Sequence, residues 1–562
     1  MTTRFHSARN PMFRSQFSET IFLQKYAHEG CETWPEMAKT VVEDVCGGLM
    51  PQDEIDQLIQ YVTELKFIPG GRYLYYAGRT KKFFNNCFLL RAEEDTREDW
   101  AELSKKSELC LSTGGGIGID YSVYRPSGSI LRGTGGAASG PLAKMQMINE
   151  LGRAVMQGGS RRSAIYASLN WQHGDVKDFM HMKDWYHMPV AGTDGKTIGH
   201  LKEADANYPA PMDMTNVSIN WDTDWLLNFQ QTGDPGELFT QACRQALSTG
   251  EPGFSFNFYE QETETLRNAC TEVTSSSDSD VCNLGSVNMG RISSLSEFSD
   301  ICSLGTKFLL CGTMKADLPY EKVGDVRAQN RRLGLGLMGM HEWLIQRGQK
   351  YEVTPELNLW LATYRAKSYT AGSRFAEHLS ISTPVAYRAI APTGSIGILA
   401  GTTTGIEPVF AVAYKLRYLK GKRWHYQYVV DYAANELIQQ YGVKPESVES
   451  ALDLATDYER RIKFQADVQD HVDMSISSTL NLPAWGSEHN NEDGVAKFAG
   501  VLSKYANRLR GFTCYPDGAR GGQPLVSVDY REAVEKLGEE FEEHVEVHDI
   551  CDITGHGGSC GT

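Results

Sequence analysis

The sequence predicts an α/β protein with a large share of parallel strand, and three observations carry that expectation. From "PGGRYLYYAG", which begins at Pro69, to about residue 530, short β-like runs alternate with helical stretches. Glycine clusters at "STGGGIGID", "LRGTGGAASGP", "MQGGSRR", "RRLGLGLMGMHEWL" and "APTGSIGILAGTTTGIEP" are spread over that whole region, so they cannot be one linker. With 562 residues, 41% of them hydrophobic, the chain can bury one large core or two to three smaller ones.

Taken in order, the chain begins with amphipathic helix: in "PQDEIDQLIQYVTELKFI" apolar residues recur at spacings of three and four. Residues 1–68 are expected as a helical lead-in, 69–535 as the α/β body and 536–562 as a flexible tail. Glycine allows positive φ and close approach of backbone to a ligand, so the clusters suggest loops gathered around a shared cavity. None has Walker A or Rossmann spacing. Residues 183–215, polar and rich in turn formers, predict a long surface loop before the strand-like "TNVSIN". The end, "HDICDITGHGGSCGT", predicts a mobile tail carrying Cys551 and Cys560.

Charge and composition exclude several classes. Fifty-five basic against 71 acidic residues give a net charge of -16, which disfavours nucleic acid as a partner. No run of eighteen apolar residues occurs and "MTTRFHSARNPMF" lacks the apolar segment of a signal peptide, so a soluble cytoplasmic protein without membrane contact is expected. The twelve cysteines should be mostly thiols, with Cys31, Cys46, Cys110, Cys243, Cys302 and Cys311 packed in apolar surroundings. No pair of CxxC motifs and no HExxH appears, so no metal site is expected.

The segment with chemistry is "RNACTEVTSSSDSDVCNLGSVNMG", from Arg267. In an extended backbone Asn268, Cys270 and Glu272 share one face. A carboxylate beside a thiol raises the thiol pKa, the wrong arrangement for a thiolate nucleophile, and no histidine stands close in sequence as its base. The trio suits a thiol that loses a hydrogen atom, with Glu272 as base towards a substrate hydroxyl and Asn268 as its companion. A strand end of mixed polar residues would carry the same letters.

N-x-C-x-E followed a short turn later by "CNLGSVNMG" resembles the catalytic segment of ribonucleotide reductases. Further segments agree with that family in order: "NNCFLL", "STGGGIGIDYSVYRPSG", "GTGGAASGPL", "GGSRRSAIYASLNWQHGD", "RRLGLGLMGMHEWL" and "APTGSIGILAGTTTGIEPVF". The resemblance implies a ten-stranded α/β barrel with Cys270 on an inner loop, poised to take the 3′ hydrogen of a ribonucleotide. It implies Cys87 and Cys282 as the pair that reduces the 2′ carbon and ends as a disulfide. Glu272 would take the 3′-hydroxyl proton and Asn268 would hold the same part of the sugar. Asn86 and Gly116 would lie at the substrate, and Pro392, Thr393, Gly394, Ser395 and Ile396 would offer backbone amides to its phosphates.

The resemblance also bears on the radical source. "GFTCYPDGAR" is similar to a segment of adenosylcobalamin-dependent members; where enzymes fed by a radical subunit carry two adjacent tyrosines, Cys514 and Pro516 flank Tyr515 here. The short turn from Cys270 to Cys282 resembles the same class, although Ala269 and Thr271 replace its usual Pro and Gly, and no glycyl-radical segment is found. D-x-H-x-x-G, which gives cobalt a histidine, is absent, as it is in that class. Adenosylcobalamin is therefore the implied cofactor. The alternatives are a catalytic subunit served by a separate metal-containing radical subunit, or a non-catalytic nucleotide-binding relative, which would need none of these thiols. The implied partners are a ribonucleoside di- or triphosphate, a deoxynucleotide or ATP effector, a thioredoxin-like reductant reached through Cys551 and Cys560, and a second copy in a homodimer. No ATP-cone is expected in the lead-in.

Overall fold

The computed structural model describes residues 12–133, 135–155, 163–205, 208–420, 423–517, 519, 525–537 and 539–543. The lead-in forms helices α1 (Gln16–Lys25), α2 (Trp34–Cys46) and α3 (Gln52–Thr63). A capping box starts α2, in which the Thr33 N–H donates to Glu36 Oε2 at 2.9 Å. Trp34, Met37, Ala38, Val41, Val42 and Val45 then recur on one buried face. They join Ile55, Leu58 and Val62 of α3 in one core with the barrel's long outer helices.

Five strands, β1 (Cys87–Arg91), β2 (Gly116–Asp120), β3 (Ile165–Asn170), β4 (Thr215–Trp221) and β5 (Gly253–Phe256), pair in parallel in that order. Helices such as α4 (Arg97–Ser112) make the crossovers that parallel pairing requires. A second parallel set begins with β6 (Asp280–Asn288) and β7 (Leu333–Met338) and ends with β8 (Thr479–Leu482) and β9 (Gly511–Pro516). Between β7 and the chain entering β8 lie residues 388–390, joined to their neighbours by the parallel bridges Leu335↔Arg388 and Ile390↔Ile476. Antiparallel seams between β1 and β6 and between β5 and β9 join the two sets. The result is a closed barrel of ten staves, as the family resemblance implies. Helices α5 (Leu295–Lys315) and α6 (Pro355–His378) cover the second half.

Alternation along the staves decides what faces inward. Ile117, Ile119, Ile165, Ala167, Leu169, Val217 and Ile219 pack in the outer core beneath the helices. The intervening positions carry Gly116, Gly118, Tyr166, Ser168, Ser218 and Asn220. Into that interior runs residues 266–275, whose neck is a two-rung ladder, Leu266↔Ser275 and Arg267↔Thr274. Gly118 is needed there because a Cβ would overlap the Arg267 carbonyl oxygen, and a Cβ on Gly116 would sit 3.1 Å from that of Ala269.

Two regions differ from expectation. Residues 183–205 and 208–215 are folded, with a short 3-10 turn at Trp185–His187 and a helix at Ile198–Ala204. Lys183 ties the segment down by a buried ion pair to Glu251 at 2.8 Å, and the Trp185 indole donates to the Pro211 carbonyl at 3.0 Å. A separate four-stranded antiparallel sheet is built from Ala413–Lys420, Arg423–Val430, Leu525–Ser527 and Glu540–Glu543. Its two central strands form a hairpin closed by the pair Lys420↔Arg423, and the outer two arrive from about a hundred residues further on, so no local pattern announces the whole sheet. The expected redox tail, with Cys551 and Cys560, lies outside the described residues. Among those described, no helix is long and apolar enough to cross a membrane.

Gly118→Ala should push the inner loop off the wall and destabilise the fold by about 1–3 kcal/mol. Gly133→Ala, where a Cβ meets nothing within 4 Å, should leave the melting temperature unchanged. Thermal denaturation of the two variants checks this.

Candidate active site

Cys87 opens β1 and Cys282 lies on β6, directly opposite each other across the antiparallel seam. Residues so paired have Cα atoms roughly 4.5–5.5 Å apart, within the span of a disulfide. Both are free thiols, buried beside Leu89, Leu266, Val273 and Leu284. Burial pushes the Cys87 thiol well above its ordinary range, with Glu272 and Cys270 adding to the shift. It does the same to Cys282, where the Arg332 guanidinium pulls the other way. At neutral pH the pair is therefore a dithiol able to give two electrons and two protons.

The tip of the inner loop, Asn268 to Val273, is a turn and not the extended segment read from the sequence. Thr271 adopts φ +71, its N–H donates to the Asn268 carbonyl at 2.9 Å, and the Val273 N–H donates to Asn268 Oδ1 at 2.9 Å. The strand register that would put Asn268, Cys270 and Glu272 on one face ends at Arg267. The turn nevertheless brings the trio together. Asn268 Nδ2 donates to Cys87 Sγ at 2.9 Å, which links the tip to the thiol pair. Cys270 is half-buried, whereas Cys87 and Cys282 are buried.

Glu272 is fully buried, and neither carboxylate oxygen has a hydrogen-bond partner. Its carbonyl accepts from the Ser475 N–H at 2.8 Å, which fixes the backbone and leaves the side chain unoccupied. Burial lifts the carboxyl to about 7, and the neighbouring Asn268 offsets only part of that. A buried carboxyl without a partner is costly for folding, and a group poised near neutrality is suited to accept a proton from a bound hydroxyl.

Asn86, beside Cys87, is buried, and its side-chain oxygen has no partner. The Gly116 N–H donates to the Asn86 carbonyl at 2.9 Å, and the missing side chain gives the loop room. The turn Pro392–Ile396 follows the 388–390 stave and opens helix α7 (Gly394–Ala400). Thr393 there has φ +53, and its Oγ1 accepts from the Gly405 N–H at 2.8 Å. Cys514 is buried in the outer core with its thiol pushed up to about 12, and Tyr515, on the alternate face of β9, is half-buried. Among the described residues no cluster of His, Cys, Asp and Glu could hold a metal ion.

Sequence reasoning missed three neighbours. Lys25 Nζ donates to Ser395 Oγ at 3.0 Å, because α1 packs on α7 through Ser18 Oγ and the Ile398 carbonyl. Nothing in "FLQKYAH" marks that lysine. Arg332 lies in "RRLGLGL", which reads only as a glycine-rich turn, and Ser475 acts through its backbone, which no sequence pattern reveals.

A closed barrel that holds one thiol-bearing loop against a facing pair of thiols is a class of arrangement suited to thiol-based redox chemistry. The chain belongs to the ribonucleotide reductase family: the model of the ribonucleotide reductase barrel domain matches residues 85–188, 215–377 and 385–504. Among curated relatives, the vitamin B12-dependent ribonucleoside-diphosphate reductase of Mycobacterium tuberculosis is 27% identical over 545 residues, covering 85% of this chain and 74% of the relative. The enzyme of the same description from Thermoplasma acidophilum is 24% identical over 532 residues, covering 84% and 66%. The class Id ribonucleotide reductase alpha subunit of Actinobacillus ureae shares the fold, with a TM-score of 0.69 at 17% identity over 90% of this chain and 97% of that one.

The Glu272 carboxyl ionises at its ordinary 4.5 in the unfolded chain and only near 7 in the folded one, so the wild type loses stability as pH rises through that window. Glu272→Gln removes the penalty. The variant should match the wild type near pH 4.5 and exceed it by about 3 kcal/mol above pH 7, read by denaturation across pH.

Proposed function

We propose that this protein reduces ribonucleotides to 2′-deoxyribonucleotides, with adenosylcobalamin as its radical source. The observation that carries the reading is the placement of Cys270 on an inner loop beside the facing Cys87 and Cys282, with the unpartnered Glu272 carboxyl buried in the same loop. Cys270, less buried than the other two thiols, fits a hydrogen-atom acceptor arriving from outside the loop. When bound, adenosylcobalamin supplies the carbon radical that accepts a hydrogen atom from a thiol.

Cys270, once a thiyl radical, takes the 3′ hydrogen of the ribose. Glu272 accepts the 3′-hydroxyl proton, which requires its ionised form, and Asn268 holds the tip against Cys87 while this happens. The 2′ hydroxyl leaves as water with a proton from the Cys87 and Cys282 dithiol. That pair gives two electrons and two protons in all and becomes a disulfide. The dithiol's second hydrogen goes to the 2′ carbon, Glu272 returns its proton to the 3′ oxygen, and Cys270 returns the hydrogen to the 3′ carbon. In balance, one ribonucleotide and one dithiol give one deoxyribonucleotide, one disulfide and one water.

Asn86 and the Pro392–Ile396 turn take the substrate sugar and phosphates, with Lys25 adding positive charge at Ser395. A thioredoxin-type dithiol then reopens the Cys87–Cys282 bond through Cys551 and Cys560. A deoxynucleotide or ATP effector, a homodimer and a cytoplasmic location complete the reading.

The test is turnover of ribonucleoside di- and triphosphates with adenosylcobalamin and a small dithiol. Wild-type protein should form deoxyribonucleotide without any second protein. Cys270→Ser should reduce product to background while calorimetry shows nucleotide binding intact, because a hydroxyl does not give up a hydrogen atom as a thiol does. Product from that variant contradicts the role of Cys270, and product without cobalamin contradicts the radical source.

A further inference from the structure

Arg267, the residue before Asn268, takes no part in the chemistry above, yet its fully buried side chain makes more hydrogen bonds than any group in the loop tip. Nη1 donates to the Glu264 carbonyl and to the Leu266 carbonyl at 3.2 Å. Nη2 donates to Asn257 Oδ1 at 2.6 Å, to the Arg510 carbonyl at 3.2 Å and to the Phe256 carbonyl at 3.5 Å. Every acceptor is neutral. Phe256 ends β5, Asn257 follows it, and Arg510 immediately precedes β9, so the guanidinium sits on the seam where the two halves of the barrel meet.

The neighbours extend the same clamp. Arg510 Nη2 donates to Glu264 Oε2 at 2.9 Å, and Thr274 Oγ1, across the ladder from Arg267, donates to that oxygen at 2.8 Å. A ladder of two rungs is too short to hold itself in place. An arginine buried without its own carboxylate is expensive, and its guanidinium is held well below the ordinary range, to about 9, by burial and by Arg510. Methionine would fill a similar length at no such cost, but only the planar fork reaches both sides of the seam.

We propose that Arg267 is a positioning residue that fixes Cys270 relative to its reacting partners by clamping the neck of the inner loop to the seam between β5 and β9. The inference rests on the proposed reaction, in which hydrogen-atom transfer to and from Cys270 depends on reacting atoms being held at contact distance. A displacement of about 1 Å in such a group costs roughly a hundred-fold in rate.

The experiment compares Arg267→Met, Arg267→Lys and Arg267→Ala with the wild type, each confirmed as folded by thermal denaturation. Arg267→Met should lose about a hundred-fold in kcat with KM changed by less than about twofold. Arg267→Lys, which keeps a donor, should recover part of that rate. Guanidinium chloride at non-denaturing concentration should restore activity to Arg267→Ala, whereas potassium chloride at equal ionic strength should not. Alkylation of Cys270 by iodoacetamide, followed by peptide mass analysis without cofactor, should run several-fold faster in Arg267→Met. Should Arg267→Met fail to fold, Arg267→Ala with and without guanidinium decides. Wild-type kcat with wild-type alkylation in a folded variant, or a loss carried by KM alone, overturns the clamp. A wild type that makes no product refutes the reaction instead, and the alkylation rates still test the clamp.

Discussion

The structure depends on one steric constraint: a loop bearing a reactive thiol must pass through the inside of a closed barrel. The wall yields at Gly118, where any side chain would overlap the loop backbone, and at Gly116, which faces Ala269. Ten staves in two parallel sets leave an interior that holds the loop, and apart from Tyr166 the inward positions there are glycine, serine and asparagine. The antiparallel seams do further work. One sets Cys87 opposite Cys282, and the other gives the loop's neck its anchorage through Arg267.

Burial then sets the chemistry. In the same enclosed space Cys87 and Cys282 are pushed well above the ordinary thiol range and Glu272 is lifted to about 7. The resting site is thus close to neutral: thiols hold their hydrogens, and the carboxyl can bind or release a proton near physiological pH. That suits a pair that delivers its hydrogens together with its electrons, and is unlike a thiolate nucleophile, which needs a cation or helix terminus to lower its pKa.

The local patterns were legible in the sequence and the distant ones were not. The spacing in α2 and α3 and the alternation in the staves follow from periodicity, and the thiol-bearing segment stands out through N-x-C-x-E. The pairing of Cys87 with Cys282, almost two hundred residues apart, came only from family resemblance, because register across a seam is set by the closing of the whole barrel. The extended reading of Asn268, Cys270 and Glu272 failed because Thr271 takes a left-handed conformation that the letters do not require. Lys25, Ser475 and Arg332 matter through packing between remote segments, and the four-stranded sheet adds to one hairpin two strands from about a hundred residues further on.

The central claim is that Cys87 and Cys282 are the electron source and Cys270 is not consumed. A single-turnover measurement tests it most directly. A chain with Cys551→Ser and Cys560→Ser is pre-reduced, freed of reductant, and given ribonucleotide with adenosylcobalamin; product is counted and the thiols are mapped by peptide mass. The account predicts one deoxyribonucleotide per active chain, a Cys87–Cys282 disulfide in equal amount and a free Cys270 thiol. Product formed while Cys87 and Cys282 both remain thiols, or with Cys270 in the disulfide, would contradict it.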